Sequence, residues 1–436
     1  MITSAAWSGK RYAVLGLARS GKASAEALLA SGAEVLVWDD RAEAREAFVG
    51  RTAVADPLKA DLTGYAGVVV SPGVPINTHP IAGHAAKQVV PVIGDIELFS
   101  QARGGLPPHK VVGITGTNGK STTTALTHHI LKIAGVPTTM GGNIGLPILE
   151  QDPLPEGGVY VLELSSYQID LTYSLDCDVA VLLNITPDHL DRYESFEDYA
   201  ASKARLFAMQ SAGQNVVIGE KYYDDSIFKE HKFRLYSRLV DDVFFESHWN
   251  DESQKGWPAL QGPHNLENAG AAIATCEWLE IDRAKIEQGL STYRGLPHRM
   301  ERVAEIDGVA WINDSKGTNT AATAPALAAF ENIHWIVGGL AKELGLGECA
   351  AQLQKVKAAY TIGASGEDFY ANLEGRVPVT RSGVLEQAVS DAAAASEPGD
   401  TVLFSPACAS FDQFRDFEHR GEVFRAAVRA LEGAPA

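Results

Sequence analysis

The densest chemistry in this sequence lies in ten residues, Gly113-Ile114-Thr115-Gly116-Thr117-Asn118-Gly119-Lys120-Ser121-Thr122. The preceding Lys110-Val111-Val112 reads as a strand, and Thr123-Thr124-Ala125-Leu126 opens an apolar-periodic stretch that reads as a helix. A glycine-rich turn from strand to helix that ends in Gly-Lys-Ser cradles phosphates on its backbone N–H groups. Its lysine reaches the outer phosphates, and its serine hydroxyl faces a magnesium ion. The spacing departs from the standard P-loop because Ile114 stands in the first glycine slot, with Gly113 and Gly116 beside it. A loop that merely turned the chain would need neither Lys120 nor Ser121.

Four further clusters follow apolar runs. Glu163-Leu164-Ser165-Ser166-Tyr167-Gln168 sits where a carboxylate can reach a P-loop magnesium, a solvated loop glutamate being the plainer alternative. Asn184-Ile185-Thr186-Pro187-Asp188-His189-Leu190-Asp191-Arg192 groups an imidazole with carboxylates at a second strand end, a donor set suited to a divalent metal on phosphates. Asn313-Asp314-Ser315-Lys316-Gly317-Thr318-Asn319 combines a carboxylate, a cation and hydroxyls. Helix capping would account for Asp314 and Ser315 but leaves Lys316 unexplained. Gly16-Leu17-Ala18-Arg19-Ser20-Gly21, with Asp39 about twenty residues on, is a degenerate dinucleotide fingerprint whose middle glycine is Ala18. It reads either as an NAD site or as a turn placing a helix N-terminus under another diphosphate, and the missing glycine favours the second. Lys203, in Tyr199-Ala200-Ala201-Ser202-Lys203-Ala204-Arg205, falls by periodicity alone on the solvated face of an amphipathic helix.

The elements that must position these residues alternate strand and helix. Tyr12–Leu15, Val35–Trp38 and Val68–Val70 read as strands of a doubly wound first domain, each leading into a loop at the carboxyl edge where ligands collect. The pattern predicts three α/β domains. Residues 1–98 form a Rossmann-like domain, 99–295 a central P-loop domain on a mixed or parallel sheet, and 296–436 a C-terminal Rossmann-like domain. Pro297 marks the last boundary, in Leu296-Pro297-His298-Arg299. The Lys221–Gln261 stretch reads as short strands and loops without site chemistry.

Composition narrows the partners. Lys plus Arg total 37 against 55 for Asp plus Glu, a net charge of −18 that repels nucleic acid and anionic lipid. Bound phosphates must then meet a locally basic pocket, so cations near the motifs carry more information than usual. Cys177, Cys276, Cys349 and Cys408 have no zinc-like spacing and read as buried reduced thiols. The N-terminus lacks a signal peptide pattern and no run approaches the ~20 apolar residues of a membrane span, so a cytoplasmic protein is expected.

Taken in order, these motifs resemble the Mur ligases of peptidoglycan precursor synthesis, within them the branch that adds D-glutamate. The match also includes His264-Asn265-Leu266-Glu267-Asn268, Leu296–Arg299 and Ser405-Pro406-Ala407-Cys408-Ala409-Ser410. It covers nearly the whole chain. The Lys221–Gln261 stretch adds nothing to it, and Phe411 stands where leucine is expected. The Asp-Asn-Pro-Arg motif by which a sister enzyme reads diaminopimelate is missing.

The resemblance implies an ATP-dependent ligase that joins D-glutamate to UDP-N-acetylmuramoyl-L-alanine through an acyl phosphate, serving cell-wall synthesis and hence cell shape and division. Leu15, Asp39, Ser71 and Gly73 would hold the uridine diphosphate, and Asn143 the sugar-peptide. Gly116, Thr117, Asn118, Gly119, Lys120, Ser121 and Thr122 would hold the ATP phosphates. Asn265 and Asn268 would meet the adenine side, with Arg299, Asp314 and Lys316 on the rest of the nucleotide. Two magnesium ions would use Ser121, Glu163, His189 and Lys203, the last as a carbamate formed with carbon dioxide, contrary to its surface reading by periodicity. Lys120, Glu163, His189 and Lys203 would be the catalytic set, and Thr318, Lys342, Ser410 and Phe417 the D-glutamate pocket. The implied partners are small molecules alone, and the chain is expected to be a monomer because its architecture encloses its own site. Folylpolyglutamate synthase shares this chemistry, and a non-catalytic UDP-sugar sensor is the binding-only alternative.

Overall fold

Strands flanked by helices on both faces of a parallel sheet must be apolar throughout, and the runs Gly67–Val70, Gly158–Glu163 and Ile333–Gly338 are buried at every position. A computed structural model describes residues 1–186, 192–219, 237–240, 251–342 and 344–432. His189 and its neighbours Asp188 and Asp191 lie outside the described residues, as does most of the segment 220–250.

Three sheets carry the described residues. The first holds β1 (Arg11–Leu15), β2 (Glu34–Trp38), β3 (Ala53–Val54), β4 (Gly67–Val70) and β5 (Val92–Ile93) in the order β3-β2-β1-β4-β5, all parallel. The second holds β6 (His109–Thr115), β7 (Thr138–Gly142), β8 (Gly158–Glu163), β9 (Val179–Leu182), β10 (Asn215–Gly219) and β11 (Ser237–Val240) in the order β11-β10-β9-β6-β8-β7, again parallel. The third holds β12 (Glu301–Ile306), β13 (Val309–Asn313), β14 (Ile333–Gly338), β15 (Val356–Ile362), β16 (Val379–Gly383) and β17 (Thr401–Phe404), ordered β12-β13-β17-β14-β15-β16. Only its β12–β13 pair is antiparallel. The α/β class expected from the alternating pattern is what the chain adopts.

By internal contact the chain divides into two compact units, residues 1–252 with 267–291, and 253–266 with 292–436. The first unit contains both all-parallel sheets, which share one apolar core including Trp7, Phe99, Tyr160 and Leu206. The second contains the mixed sheet, with apolar layers on both faces, one around Trp335 and Phe369 and one around Phe404 and Phe424. Parallel order sends the ends of β1, β4, β6, β8 and β9 to the carboxyl edges of their sheets. In the second unit it does the same for β13, β14 and β17. Among the described residues, Gly16–Gly21, Asp39, Ser71, Gly73, Gly116–Thr122, Asn143, Glu163, Asn184, Asn313–Asn319, Lys342 and Ser405–Ser410 sit on or just beyond a strand exit of this kind, those of β2 and β7 included, whereas Lys203, Asn265, Asn268, Leu296–Arg299 and Phe417 do not.

Asp95 opens the helix Asp95–Ala102 and is buried, with no hydrogen-bond partner for either carboxylate oxygen among the described residues. Burial raises its pKa to about 6, against weaker opposition from the nearby Ile96 N–H and Gln168 side chain. The folded protein therefore keeps a proton that the unfolded chain has released. That stabilisation is complete below the ordinary aspartate value and is lost as pH rises through about 6. Asp95→Asn is expected to exceed the parent in stability near neutral pH by at most about 3 kcal/mol, less a few tenths for the lost charge at a helix N-terminus. The gap should close below about pH 4. Thermal melts of both proteins across that range check it, and a pH-independent gap would mean that Asp95 ionises normally.

Candidate active site

The phosphate loop is built by two glycines with left-handed backbone. Gly116 (φ 152°) leaves β6, and Gly119 (φ 82°) enters the helix Lys120–Ile133. A side chain at 119 would also run into Asn268 Oδ1, whose helix packs there through a 3.4 Å contact from the Thr123 hydroxyl. The loop is pinned from the side by the exit of β9. Thr117 N–H donates to Asn184 O at 2.9 Å, Asn118 N–H to Asn184 Oδ1 at 2.8 Å, and Thr186 N–H to Thr117 Oγ1 at 3.0 Å. The Tyr199 hydroxyl lies 3.1 Å from the same Thr117 oxygen. Ser121 is buried at the first turn of the helix, Thr122 half-buried.

Two lysines meet on one carbonyl. Lys120 Nζ folds back over its own loop to Gly116 O (2.9 Å) and Thr117 O (2.8 Å), while Lys203 Nζ reaches Gly116 O at 2.9 Å. Lys203 is 1% exposed and its ammonium stands 4.6 Å from the Tyr199 ring centre. The periodicity reading of a solvated lysine is therefore corrected. The helix Phe196–Ala208 buries Tyr199, Ala200, Ser202, Lys203, Ala204, Leu206 and Phe207, so almost no face of it is left to water at that level.

Glu163 ends β8 fully buried. Its Oε1 accepts from Asn143 Nδ2 at 2.9 Å, and its Oε2 is buried with no hydrogen-bond partner among the described residues. Such an orphaned carboxylate oxygen is a cost unless a cation or donor reaches it. Hard oxygen donors from Glu163 and the Ser121 hydroxyl fit magnesium, which takes few protein ligands and keeps phosphate and water oxygens for the rest. Gly142 (φ 87°) lets the Asn143 segment lie against Glu163, since a Cβ there would overlap the Glu163 carbonyl.

The first sheet gathers a second cluster of motif residues. Gly16 (φ 85°) turns after Leu15, and Gly21 packs so closely on the Gly16 carbonyl that no side chain fits. Ser71 Oγ donates to Gly16 O at 2.8 Å, and Gly73 follows on an exposed loop. Asp39 accepts Leu17 N–H at 2.7 Å, and Arg41 through N–H (3.0 Å) and Nε (3.1 Å). Burial would raise the Asp39 pKa, but these bonds outweigh it and hold it at about 2. Arg45 bonds the Asp39 carbonyl and stacks 4.3 Å over Trp38. Arg41 and Arg45 are the cations that the sequence reading passed over, although an acidic chain that binds a diphosphate should have drawn attention to any arginine beside Asp39. Arg192 joins the same region, donating to Gly73 O at 3.3 Å and lying 4.4 Å over Tyr167.

In the second unit, the turn Leu296–Arg299 carries His298 (φ 61°) and is followed by Met300 (φ 47°), left-handed residues without glycine's freedom. Asp314 is buried below this turn, accepting from Met300 N–H (3.2 Å) and Ser405 Oγ (2.6 Å), and burial raises its pKa to about 7. Arg299 is half-buried in the turn. Lys316 Nζ sits 4.1 Å from the Phe417 ring centre, Ser410 is buried, Thr318 is half-buried and Lys342 is exposed. Asn265 is buried, with Nδ2 on Gln261 O at 3.1 Å.

Known proteins match this arrangement along its length. The Mur ligase middle domain matches residues 114–276, and the Mur ligase glutamate ligase domain residues 298–408. The UDP-N-acetylmuramoylalanine–D-glutamate ligase of Novosphingobium aromaticivorans is 61% identical, covering 99% of this chain and 97% of its own. That of Zymomonas mobilis is 53% identical, over 99% and 100%. Among solved structures, the UDP-N-acetylmuramate–alanine ligase of Thermotoga maritima superposes with a TM-score of 0.57 at 18% identity, covering 97% of this chain and 99% of its own. The bifunctional folylpolyglutamate synthase/dihydrofolate synthase of Yersinia pestis gives 0.54 at 20% identity, covering 77% and 93%. These distant likenesses speak to fold, while the full-length identities fix kinship: the chain belongs to the Mur ligase family.

Proposed function

We infer that this chain is the ATP-dependent ligase that joins D-glutamate to UDP-N-acetylmuramoyl-L-alanine in peptidoglycan precursor synthesis. The observation that carries the inference is 53–61% identity over essentially the whole length of relatives bearing that name. The loop at Gly116–Thr122, with its converging lysines, supports an ATP-consuming reaction. Among the described residues no helix is long and apolar enough to cross a membrane, in keeping with action in the cytoplasm on small molecules. A monomer suffices for it.

The chemistry required is amide formation from a carboxylate, a poor electrophile until it carries a leaving group. An oxygen of the L-alanyl carboxylate attacks the γ-phosphorus of ATP, the bond to the β-bridging oxygen breaks, and ADP leaves. The amine of D-glutamate then attacks the acyl carbon of the resulting acyl phosphate. Phosphate departs with the electron pair, and the nitrogen loses its excess protons. Lys120 turns from its own loop carbonyls to the β- and γ-phosphates, and the N–H groups of Gly116–Thr122 hold them in line. Magnesium, when bound, neutralises charge on the transferring phosphoryl group. Ser121, Glu163 through its unpartnered Oε2, and His189 would hold it, and Lys203 would join them as a carbamate. Leu15, Asp39, Ser71 and Gly73, with Arg41 and Arg45 added from the structure, form the diphosphate pocket, and Asn143 orients the sugar-peptide. Asn265, Asn268, Arg299, Asp314 and Lys316 serve the rest of the nucleotide, and Thr318, Lys342, Ser410 and Phe417 the incoming glutamate. On this reading residues 1–98, 99–295 and 296–436 divide the work into UDP-substrate, ATP and amino-acid binding.

Phosphate release from ATP with UDP-N-acetylmuramoyl-L-alanine is expected with D-glutamate and not with L-glutamate or without amino acid. Release with L-glutamate would keep the ligase and remove the stereochemical assignment, and no release at all would remove the ligase. Glu163→Gln keeps shape and loses the charge for the metal. It is expected to lower kcat/KM by about two to three orders of magnitude, measured across a magnesium titration. Near-normal turnover at saturating magnesium would show that Glu163 does not hold the ion.

A further inference from the structure

Arg420 is 1% exposed, one of the largest fully buried side chains. Among the described residues no carboxylate makes an ion pair with it. Its donors go to main-chain carbonyls and one hydroxyl instead. Nη2 meets Ser315 O at 2.8 Å and Cys408 O at 3.0 Å, Nη1 meets Ala409 O at 3.2 Å, and Nε meets Ser315 Oγ at 3.1 Å. The group stays charged at neutral pH even though burial lowers its pKa to about 10. A buried cation held only by neutral acceptors is costly unless something depends on it.

The segments that Arg420 ties are those that carry the four pocket residues. Ser315 lies three residues before Thr318, and its hydroxyl passes on to Phe417 O at 2.8 Å. Ala409 precedes Ser410 and pairs with Leu340, two residues before Lys342, through two 2.9 Å bonds. Gly339 (φ 137°) leaves room for the guanidinium, since a Cβ there would sit 3.2 Å from Nη1 and 2.6 Å from Ala409 O. The exits of β13, β14 and β17 and the start of the helix Phe417–Glu432 thus meet on one planar five-donor group.

We propose that Arg420 is the positioning residue of the amino-acid pocket, fixing Thr318, Ser410, Phe417 and the Lys342 loop in the register that accepts the glutamate carboxylates. This rests on the ligase reading above. Arg420 touches no substrate; it acts through the backbone it holds. A lysine could keep the charge but not the fork, because it has three donors on a point rather than five in a plane.

The test is steady-state kinetics of the full-length enzyme with each substrate varied in turn, for the parent, Arg420→Lys, and Ser315→Ala, which removes the hydroxyl that takes Arg420 Nε and passes on to Phe417 O but leaves the three carbonyl bonds of the guanidinium. Arg420→Lys is expected to raise the KM for D-glutamate about tenfold or more while changing the KM values for ATP and for the UDP-sugar less than about twofold. Ser315→Ala should shift the same constant in the same direction by a smaller factor. Adding guanidinium ion at millimolar concentration to Arg420→Ala should recover part of the D-glutamate affinity, which a purely structural defect would not show. Equal increases in all three KM values, or an unchanged KM for D-glutamate in a folded variant, would overturn the proposal. If Arg420→Lys does not fold, Ser315→Ala decides alone, and an unchanged D-glutamate KM there overturns it. Failure of the ligase reading itself would appear separately, as absence of D-glutamate-dependent phosphate release in the parent.

Discussion

The phosphate loop is organised around the Gly116 carbonyl, on which Lys120 and Lys203 both end. A buried ammonium must be solvated by protein dipoles, because the alternative is an unpaired charge in a low dielectric. Here the acceptor is the backbone of the loop that must also present its N–H groups outward. Holding the carbonyl inward with two cations orients the peptide plane, so loop geometry and lysine burial stabilise each other. Thr117 adds the second constraint, joining Thr186 and Tyr199 and so locking the loop to the exit of β9 and to the helix that supplies Lys203. Removing either tether would loosen the other.

The same logic recurs in the second unit with a different cation. There three strand exits and a helix start converge, and a guanidinium replaces the pair of ammoniums as the group that takes up main-chain carbonyls. Both sites use positive charge to gather backbone at the carboxyl edge of a sheet, which leaves nearby N–H groups and side chains facing the crevice where anions collect. An overall acidic chain thereby sets buried cations, Lys203 and Arg420 among the described residues, beneath the two regions proposed to bind ATP and the amino acid.

Much of this was legible in the sequence, because parallel sheets buried on both faces make continuous apolar runs and the residues after each run mark an edge. The strand ends near Leu15, Thr115, Glu163, Leu182, Asn313 and Phe404 were placed that way. Lys203 was not, because helical periodicity reports a water-facing stripe only when one exists, and the Phe196–Ala208 helix is covered nearly all round. Arg41 neighbours a motif, but its place beside Asp39 depends on a bend of the chain after β2 that spacing alone does not encode. Arg420 could not have been found: Ser315 lies 105 residues away and Cys408 is 12 away across a loop, and no local spacing encodes that meeting. The orphaned oxygen of Glu163 and the unbonded carboxylate of Asp95 likewise exist only once the chain has closed around them.

The first compact unit ends with residues 267–291, which return after a short excursion into the second unit. Within that returning piece Asn268 packs beside Gly119 and Thr123, and Gly289 lies against Ile130. A nascent chain leaving the ribosome would therefore expose the unfinished flank of its phosphate loop until well past the last strand of the sheet that carries it. Domains generally fold as units from the N-terminus during synthesis, and this one must wait for its closing helices. Truncations placed between residues 252 and 267 would then keep the strands of that sheet and the tethers of the loop to Asn184, Thr186 and Tyr199, but lack the helices that pack on Gly119 and Ile130.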